Sequence, residues 1–170
     1  YFPDDAITLR MILTHTSGLN DQVYQSSLEA IQTHLAKPSS YVEKPGVRYR
    51  YNNYGFGIAA TICECVTGKS LNMLAREYFL IPMGIEGSYL PGQLDADKVA
   101  DLYKNTNILD LSASSQVWAK NDTDKPAAFM GYYAGGLTIS AKDFAKLLTV
   151  LINDGMYNGQ QYLSKESIDL

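Results

Sequence analysis

The stretch PGVRYRYNNYG, residues 45–55, lies between a turn signal and a helical pattern, and it largely decides how the middle of the chain folds. Pro45-Gly46 predicts a turn. From about Asn53 to Val66, apolar side chains recur every fourth residue, which predicts a helix. The stretch is therefore predicted to be an irregular loop that delivers Tyr51 and Asn53 to the start of that helix.

Tyr51 and Asn53 are the candidate chemical groups of this loop. Asn53 can cap the helix. Tyr51 would lie beside the helix N-terminus, whose partial positive charge favours a phenolate, and a phenolate can act as a general base. The alternative is an Asn that only caps the helix and a Tyr that only packs. Taken alone, the string favours that alternative.

Five further helices are predicted from capping residues and amphipathic spacing. Glu29 and Asp143 are predicted capping partners, and Gly68 suits the left-handed end of the central helix. The helices are predicted to begin near Thr8, Ser26, Ser70, Ser140 and Ser164. The buried stripe of the long helix after Ser140 is predicted to be Phe144, Leu147, Leu148, Leu151 and Ile152. Two short strands are predicted at Val99–Tyr103 and Gln116–Ala119.

Composition excludes several functional classes. The chain has 170 residues, a length that suits one domain, and 46% of them are hydrophobic, which is enough for a sizeable core. The net charge is −4. We find no basic cluster that could follow a phosphate backbone, so no nucleic-acid partner is predicted. No apolar run is long enough to span a bilayer.

The residues that could bind metal or act as nucleophiles are few. His15 and His34 are the only histidines, too few for a multi-histidine metal site, and no metal or cofactor is predicted. Cys63 and Cys65 are two apart on the predicted helix, cannot easily form a disulfide, and are interpreted as buried apolar residues. Ser17 follows His15 closely enough to suggest a nucleophile, but a helix-terminating turn explains this string better.

Four blocks in the same order resemble the serine β-lactamase and penicillin-binding-protein family, which includes class C β-lactamases, D-alanyl-D-alanine carboxypeptidases and esterases. Ile7–Leu19 resembles the family's I-T-I-R-H-L-L-T-H-T-S-G-L segment. Pro45–Gly68 is similar to its P-G-x-x-F-x-Y-S-N-x-G-Y…V-T-G segment. Gly135–Asp143 and Asn153–Ser167 are similar to its G-G-L-x-S-T-A-x-D and N-G-G…L-S-x-E-S segments.

The resemblance assigns roles to residues. The family's Tyr-x-Asn motif falls on Tyr51-Asn52-Asn53. It implies that Tyr51 is catalytic and exchanges protons with a nucleophilic Ser and with the leaving group. Asn53 would bind substrate, by forming a hydrogen bond to the amide side chain of the substrate, and would contact the catalytic Lys. Gly135 and Gly136 would shape a loop near the cleft.

Two family elements are missing from these residues. No Ser is followed by Lys three residues later, and no closing Lys-Thr-Gly or His-x-Gly motif occurs after the last block. In the family these motifs lie upstream and downstream of the blocks. The expectation is therefore a fragment: residues 1–170 as a single helical subdomain, truncated at both ends, mainly α with a small β region, whose large antiparallel sheet is missing.

The function implied by the resemblance is part of a serine hydrolase that acts through an acyl-enzyme on a β-lactam, a D-Ala-D-Ala peptide or an ester. The chain by itself is expected to be inactive, because the nucleophile is absent. The alternative is a non-catalytic binding module for cell-wall peptide or a protein partner. Self-association through exposed helix faces is expected. By resemblance, the parent protein is periplasmic, secreted or membrane-anchored.

Overall fold

The computed structural model describes residues 4–21, 24–104, 108–111 and 130–169, and helices dominate them. The helices are α1 Leu9–Leu13, α2 Leu28–Leu35, α3 Asn53–Thr67, α4 Leu71–Ala75, α5 Ala141–Ile152 and α6 Lys165–Ile168. A π-helical turn, Arg76–Leu80, continues α4. Single 3₁₀ turns are Pro38–Ser40, Pro91–Gln93, Ala96–Lys98 and Tyr132–Ala134.

Strands occur among the described residues only as short antiparallel pairs. They are β1 Gly87–Ser88, β2 Leu102–Lys104, β3 Ile108–Leu111, β4 Thr138–Ile139, β5 Met156–Tyr157 and β6 Gln160–Gln161. They pair as β1 with β4, β2 with β3, and β5 with β6. Strand β2 overlaps the end of the predicted strand Val99–Tyr103, whereas Gln116–Ala119 lies outside the described residues. The predicted class, mainly α with a small β region and no large sheet, is confirmed for the part that the structure describes.

The chain divides into two compact units. The first unit is Tyr1–Leu71 with Thr123–Gly136, and the second is Asn72–Asp122 with Leu137–Leu170. The chain therefore leaves the first unit and returns to it before completing the second. In the described ranges, no helix is long and apolar enough to cross a membrane.

Helix α3 is the centre of the first unit. Tyr54 is fully buried and packs in one cluster with Ile58, Ile12, Ile31 and Met130. Its small residues allow close contact, as predicted: a Cβ on Gly57 would come within 3.0 Å of the Met130 carbonyl oxygen. The helix ends as predicted at Gly68, which has φ 70. Because glycine has no Cβ and adopts this left-handed conformation with little strain, Gly68 is a good helix terminator.

The outer face of α3 corrects two predictions. Val66 is 82% exposed and Ile62 is exposed too, so the predicted stripe of every fourth residue stops at Ile58. Cys63 and Cys65 are also exposed, so their interpretation as buried residues was wrong. The buried side continues instead through Thr61 and Glu64, three residues apart, because a 3.6-residue helix drifts away from a strict spacing of four.

One helix start differs from its prediction by a single residue, and one helix ends earlier than predicted. Ser27, not Ser26, caps α2, and its hydroxyl accepts the backbone N–H of Ala30. Thr8 caps α1 as predicted, but that helix ends at Leu13, well before Gly18, because the chain turns there. Ser164 caps α6 as predicted.

Helix α5 belongs to the second unit. Ser140 caps it and accepts the backbone N–H of Asp143, as predicted. Val150 is buried with Leu80, Met83 and Ile85, and Leu147 packs against that cluster. The other members of the predicted buried stripe are exposed: Phe144, Leu148, Leu151 and Ile152. The prediction was wrong for these four because apolar spacing identifies a face but not the residues that cover it.

Candidate active site

The turn after α1 holds the loop that carries Tyr51. His15 has φ 57, its carbonyl accepts the backbone N–H of Arg50 over 2.7 Å, and its Nδ1 accepts the backbone N–H of Asn52 over 3.1 Å. Gly18 has φ 71, and a Cβ there would overlap the carbonyl oxygen of Glu43. The turn and the loop are therefore fixed to one another by backbone contacts.

Ser17 lies inside this turn. It is 2% exposed, and its hydroxyl accepts the backbone N–H of Leu19 over 3.4 Å. The structure thus supports the interpretation of this string as a helix-terminating turn. A buried hydroxyl of this kind is not presented to a substrate.

Asn52 is the cap of α3, so the prediction that Asn53 caps the helix was wrong. Asn52 has extended backbone angles, φ −152 and ψ 107, and its Oδ1 accepts the backbone N–H of Gly55 over 2.6 Å. Its Nδ2 donates to the carbonyl of Leu19 over 2.6 Å. Because Asn52 does the capping, the side chain of Asn53 is available for other contacts.

Tyr51 and Asn53 are brought together at the start of α3. The phenol of Tyr51 donates to Oδ1 of Asn53 over 2.8 Å. Its ring centroid lies 4.7 Å from that of His15, and the side chain is 58% exposed. The phenol is therefore held in place on one side and open on the other. The catalytic and substrate-binding roles of these two residues stay predictions.

Asp21 is the member of the site that sequence reasoning missed. Its Oδ1 accepts the backbone N–H of Tyr54 over 2.9 Å, and its Oδ2 accepts Nδ2 of Asn53 over 3.3 Å. A carboxylate at this position is stabilised by the helix dipole. Acidic residues that serve a helix start usually follow the cap directly in sequence. Since Asp21 comes from before α2, the sequence contains no local signal for it.

Two tyrosines beside Asp21 are held in their neutral form. Burial, and then Tyr41, raise the pKa of Tyr54 to about 12, and its hydroxyl donates to Oε1 of Gln25 over 2.6 Å. Tyr24 stacks on Tyr54 with ring centroids 6.3 Å apart. Desolvation, followed by the Asp21 carboxylate and Tyr51, raises the pKa of Tyr24. Two neutral aromatic rings therefore lie beside the Asp21 carboxylate on this side of the site.

Gly135 and Gly136 form a tight turn in the first unit. Gly136 donates its N–H to the carbonyl of Tyr132 over 2.6 Å, and a Cβ on it would come within 2.7 Å of that oxygen. The 3₁₀ turn before them packs on α3. Their predicted place near a cleft stays a prediction. In the described ranges, no three or more His, Cys, Asp or Glu side chains are grouped so that they could hold a metal ion.

The chemistry that the site offers depends on the donors and acceptors of Tyr51 and Asn53 that are not used for hydrogen bonds within the protein. Because the Tyr51 proton is directed at Asn53, the phenol oxygen presents lone pairs on its open side. Asn53 uses one amide hydrogen on Asp21 and one lone pair of its oxygen on Tyr51. Among the residues that the structure describes it has no further side-chain partner, so a second amide hydrogen and a second lone pair remain for a ligand. The pair can thus orient an amide or carbonyl group, and the phenol oxygen can accept a proton once it has lost its own.

Comparison with known proteins gives one family. The family model described as Beta-lactamase matches residues 1–169. A curated relative, the lovastatin esterase of Penicillium rubens, is 28% identical over 169 residues, which cover 91% of this chain. The chain spans 42% of that esterase.

Solved structures agree on the fold. Simvastatin synthase from Aspergillus terreus has a TM-score of 0.66 at 26% identity, over 98% of this chain and 40% of its own. The D-amino acid amidase of Ochrobactrum anthropi SV3, complexed with L-phenylalanine amide, has a TM-score of 0.65 at 19% identity. That match covers 99% of this chain and 49% of the amidase. The chain therefore spans less than half the length of these relatives.

Proposed function

Because the chain belongs to the Beta-lactamase family, and its relatives are serine hydrolases, we propose that Tyr51 and Asn53 form part of the active site of a serine hydrolase that acts through an acyl-enzyme. The observation that carries this proposal is the 2.8 Å hydrogen bond from the Tyr51 phenol to Asn53 Oδ1 on an otherwise exposed tyrosine. An exposed phenol that is oriented at a helix start is suited to proton transfer.

The proposed reaction is acyl transfer. The Tyr51 phenol first loses its own proton to a lysine amine outside residues 1–170. A serine oxygen then attacks the substrate carbonyl carbon and passes its proton to the resulting phenolate. The tetrahedral intermediate then collapses, and Tyr51 returns a proton to the leaving group as its bond to the carbonyl carbon breaks. Water hydrolyses the resulting ester on the serine and releases the acid. Asn53 orients the substrate through the amide hydrogen and lone pair that remain free.

The nucleophile is proposed to come from outside residues 1–170. None of the serines in this sequence has a Lys three residues later, and the hydroxyl of Ser17 is buried. The 170-residue chain by itself is therefore expected to be inactive. Acyl transfer needs a nucleophile, a base and an oxyanion hole together, and this chain supplies the base and a substrate contact.

The substrate is proposed to be a small molecule or peptide with a reactive carbonyl group. The esterase relative favours an ester as the first compound to assay, with a β-lactam and a D-Ala-D-Ala peptide beside it. By family, we also propose that the protein works outside the cytoplasmic membrane, as a periplasmic, secreted or membrane-anchored enzyme.

Rapid-mixing kinetics of the longer protein with a p-nitrophenyl ester tests the proposal. We expect Tyr51→Phe to slow acylation by a factor on the order of 100 or more, because the proton acceptor is lost. Tyr49→Phe is the matched control, since Tyr49 is exposed in the same loop and also contacts the His15 ring. Near-normal acylation by Tyr51→Phe would remove Tyr51 from the mechanism.

A second assay tests the inactive chain. We expect no covalent label on residues 1–170 from a fluorescent penicillin, and labelling would contradict a nucleophile outside them. If the longer protein is not acylated by any of the three compound classes, the proposed hydrolase is wrong. The binding-module alternative would then be preferred, with retention on peptidoglycan as its assay.

A further inference from the structure

The side-chain amide of Asn53 could present either end to Tyr51. A phenol hydroxyl both donates and accepts, so Tyr51 alone would tolerate the amide oxygen or the amide nitrogen. The choice matters, since it decides whether the phenol offers its proton or its lone pairs to an approaching group. Something other than Tyr51 must therefore set the orientation of this amide.

Asp21 supplies that constraint. An ionised carboxylate only accepts hydrogen bonds, so the side of Asn53 that faces it has to be the nitrogen. The distance from Asn53 Nδ2 to Asp21 Oδ2 is 3.3 Å, and the amide oxygen is thereby directed at the phenol of Tyr51, 2.8 Å away. The polarity of the pair Tyr51–Asn53 thus follows from the carboxylate.

The carboxylate itself is well anchored. Its other oxygen accepts the backbone N–H of Tyr54 over 2.9 Å, within the first turn of α3. Asn52 independently takes the N–H of Gly55, so the carboxylate is not needed as the helix cap. Asp21 forms no ion pair with any cationic side chain in the part of the chain that the structure describes. Its negative charge is therefore available to act on Asn53.

We propose that Asp21 is a positioning residue that fixes the amide of Asn53 with its oxygen toward Tyr51, so that the phenol oxygen presents lone pairs to the nucleophile. The catalytic consequence rests on the proposed function, whereas the orientation of the amide does not. Asp21 touches neither substrate nor the reacting atoms in this scheme.

NMR of the 170-residue chain tests the orientation without any activity. The Asn53 side-chain amide signals, assigned by their loss in Asn53→Ala, are followed for contacts with the Tyr51 ring protons. In Asp21→Asn, residue 21 keeps an oxygen for the Tyr54 N–H and turns an NH₂ group toward Asn53. We expect the Asn53 amide to turn over and its ring contacts to strengthen at least twofold.

Glu29→Gln is the matched control for charge. Glu29 is an exposed acidic residue on α2 in the same unit, so this change removes one negative charge without touching the Asp21–Asn53 hydrogen bond. We expect its Asn53 signals to equal those of the unmodified chain. Unchanged Asn53 signals in both Asp21→Asn and Asp21→Ala would overturn the proposal. If Asp21→Ala fails to fold, the near-isosteric Asp21→Asn decides.

A double-mutant cycle in the longer protein tests the consequence for catalysis. Asp21→Asn is expected to slow acylation roughly tenfold with little change in KM, because it misdirects an acceptor rather than removing it. In the Tyr51→Phe background, Asp21→Asn should have no further effect. Equal effects in both backgrounds would contradict action through Tyr51. A normal rate for Tyr51→Phe alone would defeat the proposed function and leave the NMR result to decide the role of Asp21.

Discussion

The backbone N–H of Asn52 donates to Nδ1 of His15 over 3.1 Å, so a side chain of the turn after α1 binds the residue that caps α3. The nitrogen has to be unprotonated to accept it. The His15 ring also lies against Tyr51 and Phe56, with centroid distances of 4.7 and 5.1 Å. A structural hydrogen bond and the placement of the candidate catalytic phenol therefore depend on the same imidazole.

Asn52→Ala is expected to destabilise the first unit by about 3 kcal/mol, since it removes a cap and leaves a buried carbonyl of Leu19 without its donor. Asn52→Asp separates the two effects. It keeps an oxygen for the Gly55 N–H but faces the Leu19 carbonyl with a second acceptor. Urea unfolding followed by circular dichroism should show that the original chain with Asn52 is the most stable, that Asn52→Asp is less stable, and that Asn52→Ala is the least stable. An Ala variant as stable as the original would contradict the assignment of the cap.

Gly18→Ala and Gly68→Ala form a matched pair at nearly equal φ, 71 and 70. At Gly68, a Cβ meets nothing within 4 Å, so only backbone strain of about 1 kcal/mol is expected. At Gly18, the same Cβ overlaps the carbonyl of Glu43, and the loss should exceed about 3 kcal/mol or prevent folding. Thermal and urea unfolding of both variants gives the comparison. Similar losses at the two sites would mean that the loop around Glu43 can move aside.

Alkaline pH should weaken the fold through Tyr54. Its pKa is about 12 in the folded chain, above the ordinary value of 10.0, so the unfolded chain loses this proton first. The contribution is complete below pH 10 and is lost as pH rises toward 12, by up to about 2 kcal/mol. Urea unfolding at pH 9 and pH 11 measures the change. Tyr54→Phe should reduce this pH dependence, and an unchanged slope would refute the assignment to Tyr54.

The 170-residue chain is expected to self-associate through the exposed apolar side of α5. Phe144, Leu148 and Leu151 share one side of this helix at spacings of four and three, and all three are exposed. Light scattering should show a dimer or larger species, and the double variant Leu148→Lys, Leu151→Lys should shift it to the monomer. The control is Val66→Lys on α3. Measurements need a thiol reductant, because Cys63 and Cys65 are exposed. A strictly monomeric original chain would contradict this prediction.

The sequence was sufficient for features that depend on neighbouring residues. The caps Thr8, Ser140 and Ser164 and the helix end at Gly68 could be predicted because each acts within one turn of its own helix. Tyr51 and Asn53 are likewise two residues apart. The choice between Asn52 and Asn53 as the cap could not be made, since both are good caps and only the backbone angles separate them.

Features that depend on distant residues could not be predicted. Asp21 lies close to Asn53 only because of the course that the chain takes between α1 and α2. The spacing of apolar residues does not predict that course. The apolar side of α5 was predicted as buried, but hydrophobic spacing does not state what lies opposite it. Burial of Cys63 and Cys65 was inferred from residue type alone. Both lie on the exposed side of α3.

The contact of Gly57 with Met130 also has a consequence for synthesis on the ribosome. Met130 is fully buried in the cluster around Tyr54, yet it is translated after the first part of the second unit. The nascent first unit therefore carries an incomplete core while those intervening residues emerge. We expect nascent chains that stop short of Met130 to be open to proteolysis and to depend on chaperones, and the first unit to close only after the chain has returned to it.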